Sequence, residues 1–165
     1  MLSLGRVEKE IAVAYDTFSA PFQIAVTYPK IISAVEGFLG SLSGKEILDV
    51  GCGAGTLINM FNGKGAKCSG IDAAPVFVEL ARSRGLDVIE ASMHNIPLPD
   101  ESFDAVVSNY ALNYLPAEGQ QITLQEKFRI LRPGGIMIFS YMHPFFMRAD
   151  RREPAILYHP IDNYF

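Results

Sequence analysis

Glu46-Ile47-Leu48-Asp49-Val50-Gly51-Cys52-Gly53-Ala54-Gly55-Thr56 is the stretch on which the reading of this chain turns. Ile47, Leu48 and Val50 read as a short buried strand. Gly51, Gly53 and Gly55 alternate through a turn, and Leu57, Ile58, Met60 and Phe61 follow at helical spacing. Strand, glycine loop and helix in that order make the physical form of a nucleotide cradle. Glycines let the backbone bend at unusual φ and let a ligand touch the main chain. The start of the following helix is expected to offer free N–H groups.

The spacing separates kinds of cradle. A dinucleotide site uses Gly-x-Gly-x-x-Gly, whereas this loop is Gly-x-Gly-x-Gly behind an acid. A phosphate loop of the ATPase type needs lysine before its Ser or Thr, and Gly55-Thr56 has none. Asp49 is a poor neighbour for a phosphate dianion. It suits a ligand carrying an ammonium group, or it braces the loop. A tight turn with no ligand is the plain alternative.

Outward from the cradle, helical and strand patterns alternate. Downstream, Gly63-Lys64-Gly65 is a turn and 66–72 a strand ending in Asp72. An acid roughly 20 residues beyond a glycine loop meets a ribose diol, since a carboxylate accepts from both hydroxyls; helix capping is the other use for it. Pro75 opens a helix to about Arg84 with Val76, Leu80 and Ala81 inward, closed by Gly85. Residues 86–91 read as a third strand, 92–100 as an irregular loop, and 103–108 as a fourth strand apolar enough for two covered faces. After a turn at 116–119, residues 120–131 read as a helix with Leu124, Phe128 and Leu131 on one face. Arg132-Pro133-Gly134-Gly135 stops it, and 136–141 is a fifth strand. Upstream, Val7, Ile11, Ala12 and Ala14 suit a short helix. A second begins near Pro29 with an apolar stripe of Ile31, Ile32, Val35, Phe38 and Leu39. The alternation predicts an α/β fold: a doubly wound, mostly parallel Rossmann-like sheet of five strands with helices on both faces. Residues 1–44 form an N-terminal helical cap, 45–141 the cofactor-binding core, and 142–165 an irregular tail.

Asp49-Val-Gly-Cys-Gly-Ala-Gly-Thr56 resembles the first motif of the class I S-adenosylmethionine-dependent methyltransferases, the small-molecule branch in particular. Gly70-Ile-Asp72, Asn95-Ile-Pro-Leu-Pro-Asp-Glu-Ser-Phe-Asp104 and Leu131-Arg-Pro-Gly-Gly135 fall in that family's order, so the resemblance covers about residues 45–141. It implies S-adenosylmethionine as cofactor, held by Asp49, Gly51, Cys52, Gly53, Gly55, Asp72, Ala73, Ser92, Met93 and Asn109. Relatives often carry aspartate, to bind the adenine amino group, where Ser92 stands; a neutral oxygen is a weaker partner. Met93 would lie against the adenine ring and Asn109 toward the cofactor ammonium. The segment before the first strand commonly folds over the ligands, which makes Tyr15 and Tyr28 substrate-side candidates and leaves Phe18 to packing. Tyr110, Asn113, Tyr114 and His143 are the others. The resemblance implies direct displacement at the methyl carbon, where the protein mainly aligns two partners and excludes water. A base is needed only for a nucleophile that holds its proton strongly. The candidates, in order, are His143, His94, Tyr110 and Tyr15; His94 otherwise braces its loop. Family members continue with a helix, a sixth strand and an antiparallel seventh. The sequence ends before these, so an exposed sheet edge is expected to invite pairing with another copy.

Composition narrows the rest. Hydrophobic residues at 49% are enough for a core. Fourteen basic against eighteen acidic residues, with no long basic block, weigh against a nucleic-acid partner. Two cysteines, Cys52 and Cys68, are too few for a disulfide framework and match no zinc spacing. Cys52 reads as a small filler or a reactive thiol. His143 and His159 lack a third ligand, so no metal is expected. No apolar run is long enough to span a membrane and no signal-like block opens the chain, so a cytoplasmic protein is expected. Two other functions remain open: a nicotinamide-dependent oxidoreductase, and a cofactor-binding but non-catalytic regulatory or assembly domain.

Overall fold

Strand β1, Glu46–Val50, is apolar toward both sides because it lies at the centre of the sheet, with Ile47, Leu48 and Val50 fully buried. The structure is a computed structural model that describes residues 21, 23–112, 115 and 117–141. Tyr15, Phe18, Asn113, Tyr114, His143 and His159 lie outside them, as do all expectations for residues 1–20 and for the tail 142–165.

The sheet has five strands in the order β3-β2-β1-β4-β5, and every pairing is parallel. Here β2 is Lys67–Asp72, β3 Val88–Glu90, β4 Phe103–Asn109 and β5 Leu131–Ser140. Asp49 is in register with Gly70 on one side and Val107 on the other. The chain winds outward from β1 to β3, then returns to the other side of β1 to lay down β4. The crevice between β1 and β4 is therefore the switch point, where open parallel sheets bind ligands at their carboxyl ends.

Two apolar layers cover the faces. Helices α1 (Tyr28–Leu39), α2 (Thr56–Asn62) and α3 (Pro75–Ser83) pack Ile31, Val35, Phe61 and Val78 against Ile47 and Ala105. A five-residue π-helical turn, Gln23–Thr27, leads into α1. On the other side Leu48, Val50, Val106 and Ile96 pack with Ile130 at the end of α4, Ala117–Ile130.

Several expected faces are corrected. In α1 the stripe buries Ile31, Ile32 and Val35, while Phe38 stands 76% exposed at the last turn. In α3 the deepest residues are Val78 and Ala81, with Val76 and Leu80 only half-buried. Helix α4 begins at Ala117, inside the expected turn, and is rotated from its expected face: Thr123, Lys127 and Ile130 are buried while Phe128 is 65% exposed. Strand β5 begins at Leu131, paired with Phe103, so the Pro133-Gly134 kink is an irregularity within the strand. Its extra length comes from sheet pairing, which local breakers do not override.

Gly70 illustrates how tightly the first layer closes. A Cβ there would lie 2.5 Å from Ile58 Cδ1 and 2.7 Å from Cys52 Sγ. Gly70→Ala is expected to cost about 1–3 kcal/mol through overpacking, read as a lower urea midpoint. An unchanged midpoint would mean that the β2–α2 contact is loose.

Candidate cofactor site

The loop after β1 is tied to the end of β2. Gly51 N–H and Cys52 N–H both donate to the Ile71 carbonyl, at 2.8 and 3.0 Å, and Gly53 N–H donates to Asp72 Oδ2 at 2.8 Å. Gly55 N–H closes on the Cys52 carbonyl at 3.0 Å. These four loop amides are thus spent inside the fold. Asp72 Oδ1 accepts Ala74 N–H at 2.9 Å, just ahead of α3. Asp72 therefore braces both the loop and the next turn. Each of its oxygens carries two lone pairs, so capacity to accept from a ligand hydroxyl remains.

The glycines do different work. Gly51, at φ +79°, is where three segments meet, since a Cβ there would lie 2.5 Å from Ala111 Cβ and 3.7 Å from Met93 Cε. The exits of β3 and β4 thereby close onto the loop. Gly55 is demanded by packing, with Leu86 Cδ1 2.4 Å from its would-be Cβ. Gly53, at φ +54°, faces open space with nothing within 4 Å of that position. A ligand has room against the main chain there.

Asp49 lies beneath this loop, 2% exposed, and its Oδ1 has no hydrogen-bond partner. Burial, and next the negative charge of Asp72, push its carboxyl up to about 7, against the opposing pull of Lys127. Cys52 is buried against Gly70. Burial first, then the charges of Asp49 and Asp72, hold its thiol well above the ordinary range. Its position is that of the small filler, not of a reactive thiol.

The remaining candidates surround the loop. Ala73 is exposed at the end of β2, and Met93 is half-buried beside Gly51. Ser92 Oγ accepts His94 N–H at 3.2 Å and lies 3.4 Å from His94 Nδ1. His94 Nε2 is buried without a partner, where Gly119 of α4 makes room for it, 2.8 Å from the position a Cβ would take. His94 thus packs its loop onto α4, the bracing use. The Asn109 amide donates to Gln23 Oε1 at 2.9 Å and accepts from the Ser140 hydroxyl, so this side chain is engaged within the fold. Tyr110 N–H donates to Ser140 Oγ at 3.1 Å, with φ at +54°. Tyr28 packs partly buried against the first apolar layer. Among the described residues no group of three His, Cys, Asp or Glu side chains converges on a metal position.

Five residues that the sequence reading passed over shape this region. Ala111 walls Gly51, while Gln23 and Ser140 hold Asn109. Lys127 is fully buried on α4 with no hydrogen-bond partner, and burial lowers its ammonium to about 8 against the opposing charge of Asp49. Arg129, one helical face away, anchors the 92–100 loop by donating to the carbonyls of Ile96 and Leu98 at 2.8 and 2.9 Å.

Residues 48–139 match the family described as Methyltransferase domain. Among curated proteins, the chain is 27% identical over 139 residues to malonyl-[acyl-carrier protein] O-methyltransferase of Serratia marcescens, covering 81% of this chain and 52% of that protein. It is 34% identical over 111 residues to demethylmenaquinone methyltransferase of Tropheryma whipplei strain Twist, covering 64% of this chain and 46% of that protein. The S-adenosylmethionine dependent methyltransferase of Mesorhizobium loti is similar in structure, with a TM-score of 0.61, 29% identity, and 70% of this chain and 55% of that one covered. The chain spans about half the length of the curated relatives it matches.

The buried acid predicts a pH signature. A carboxyl that folding raises from 3.8 to about 7 binds more protons folded than unfolded, so its burial costs stability increasingly as pH climbs between those values. Against Asp49→Asn, the wild-type chain is expected to lose about 2–4 kcal/mol between pH 4 and pH 7, read from urea melts at several pH values. A difference that stays constant with pH would show that Asp49 is not desolvated.

Proposed function

The chain belongs to the methyltransferase-domain family, and on that premise we propose that it binds S-adenosylmethionine over the Gly51–Gly55 loop and transfers its methyl group to a small-molecule acceptor by direct displacement. The observation that carries the reading is the open main chain at Gly53, hydrogen-bonded to an acid on the neighbouring strand. Gly51, Gly53 and Ala73 give the cofactor close access to backbone, and Asp72 accepts from its ribose hydroxyls. Met93 and Ala111 wall the pocket, and Ser92 stands at the adenine side. Asp49 supplies negative charge beneath a cationic amino group. Cys52 and Gly55 contribute shape, and Asn109 holds the β4 exit through Gln23 and Ser140. The cofactor brings a methyl group already activated on a sulfonium, so the chain's own task is alignment and exclusion of water.

Tyr28 and Tyr110 remain the substrate-side proposals within the described residues, joined by Tyr15, Asn113, Tyr114 and His143 outside them. The relatives' names, a malonyl-[acyl-carrier protein] O-methyltransferase and a demethylmenaquinone methyltransferase, support an organic acceptor. The nicotinamide reading is weakened by the Gly-x-Gly-x-Gly spacing of the loop and by the buried acid Asp49 that precedes it. A cofactor-binding but non-catalytic domain is the second reading, favoured by Ser92, whose neutral hydroxyl oxygen already accepts His94 N–H on the adenine side. Two free, buried cysteines support a reducing, cytoplasmic setting. Among the described residues no helix is long and apolar enough to cross a membrane. Strand β5 has a described partner on one side only, and Phe139 is 46% exposed; both support pairing with a second copy.

Calorimetric titration with S-adenosylmethionine and its demethylated product, with NADH as control, tests the reading. One-to-one binding is expected, weakened about tenfold or more by Asp72→Ala, or about 1.4 kcal/mol. A folded chain that takes NADH, or neither ligand, would overturn it.

A further inference from the structure

The chain leaves β4 through a bend that an ordinary side chain does not favour. Tyr110 follows Asn109, the last residue of β4, with φ at +54°, in the left-handed region where a bulky residue is strained. Among the described residues the other non-glycine with positive φ is Glu101, which lies ahead of β4, at its amino end. The effect of the Tyr110 bend shows one residue later. Ala111 is buried, and its Cβ lies 2.5 Å from the position a Cβ on Gly51 would take. The bend therefore sets this wall of the ligand edge against the glycine loop.

Ser140 holds the bend. It is the last residue of β5, at one end of the strand order, and the register partner of Asn109. Tyr110 N–H is shared between two acceptors of this one residue, the Ser140 carbonyl at 3.2 Å and Ser140 Oγ at 3.1 Å. The Ser140 hydroxyl donates in turn to Asn109 Oδ1, and Asn109 Nδ2 donates to Gln23 Oε1 at 2.9 Å. The bonds run in one direction from donor to acceptor, so each strengthens the next. Gln23 opens the π-helical turn ahead of α1, so the series joins two irregular pieces of backbone at one sheet edge.

We infer that Ser140 is a positioning residue for the cofactor pocket: its hydroxyl pins Tyr110 in the left-handed conformation and so keeps Ala111 against Gly51. This rests on the cofactor reading above. The hydroxyl does two things that an apolar side chain cannot, accepting from Tyr110 N–H and donating to Asn109. Without it, the Ser140 carbonyl alone is left to hold a strained residue. Relaxation of φ at Tyr110 then moves Ala111 off Gly51 and loosens the wall. Backbone strain persists only where the surroundings over-determine it, and here one side chain supplies much of that restraint. Glycine adopts a positive φ freely and asparagine with little strain, so the need for Ser140 depends on tyrosine at position 110.

A double-mutant cycle on the full chain tests this with two readouts. Backbone amide NMR of the ligand-free chain follows Gly51 and Ala111, and calorimetry follows S-adenosylmethionine affinity. Ser140 is half-buried at a strand end, so removing one oxygen is expected to leave the fold intact. Ser140→Ala is expected to shift both amides and to weaken binding about five- to tenfold. Ser140→Thr, which keeps the hydroxyl, is expected to restore both. In a Tyr110→Gly or Tyr110→Asn background, where the bend is no longer strained, adding Ser140→Ala is expected to weaken binding by less than about twofold and to leave Gly51 unmoved. An equal effect of Ser140→Ala in the tyrosine and glycine backgrounds would overturn the inference, since the hydroxyl would then serve the sheet edge alone. Gly51 and Ala111 amides unmoved by Ser140→Ala would overturn it as well. If wild type binds no cofactor, the cofactor reading fails separately, and the ligand-free amide shifts still decide whether Ser140 holds the wall.

Discussion

Everything at the site depends on how the end of β2 holds the loop after β1. Three successive amides, Gly51, Cys52 and Gly53, donate to the Ile71 carbonyl and the Asp72 carboxylate. Folding such a turn costs backbone entropy, more so for glycines. The bonds return that cost and fix the loop before any ligand arrives. The same bonds decide the chemistry. A phosphate site uses loop amides as its ligands, but here those of Gly51, Cys52 and Gly53 point back into the fold. What remains for a ligand is space over Gly53, the spare lone pairs of Asp72 and the field of Asp49. That set suits hydroxyls and a cation, which distinguishes this cradle from a dinucleotide one.

Acids and cations are arranged around the loop at a cost to stability. Asp49 is buried with one oxygen unpaired, and the charge of Asp72 opposes its ionisation. Lys127 is buried without a partner on the opposite layer. Among the described residues neither group is compensated by a direct ion pair, and hydrophobic residues would fill both positions at less cost. Glu126 is held low by the Arg129 guanidinium and the Ile96 N–H, a contact that fastens a loop.

The sheet was legible because its strands are short apolar runs separated by helical periods, and because Pro75, Gly85 and the glycine loop mark element ends. The helix faces were less so. Leu124 and Phe128 in α4 follow a helical period, yet Gly119, Thr123 and Lys127 take the inward positions. Local hydrophobicity cannot show which side of a helix meets the sheet when polar residues are buried for another purpose. Strand β5 begins five residues before its expected start at Ile136, since pairing with β4 draws Leu131 into the ladder despite Pro133. At the site, the loop and Asp72 were readable from spacing. Ala111 over Gly51 and the Gln23–Asn109–Ser140 chain were not, because each joins residues far apart in sequence.

The central claim is that one cofactor lies over Gly53, between Asp72 and the wall of Met93 and Ala111. Backbone amide NMR of the isotopically labelled chain, titrated with S-adenosylmethionine, tests it directly. The account predicts saturating shifts concentrated at Gly51–Gly55, Asp72–Ala74, Ser92–His94 and Asn109–Leu112, with the α1 and α4 surfaces unmoved. Saturating shifts centred elsewhere on the sheet, or none from a folded chain, would contradict it.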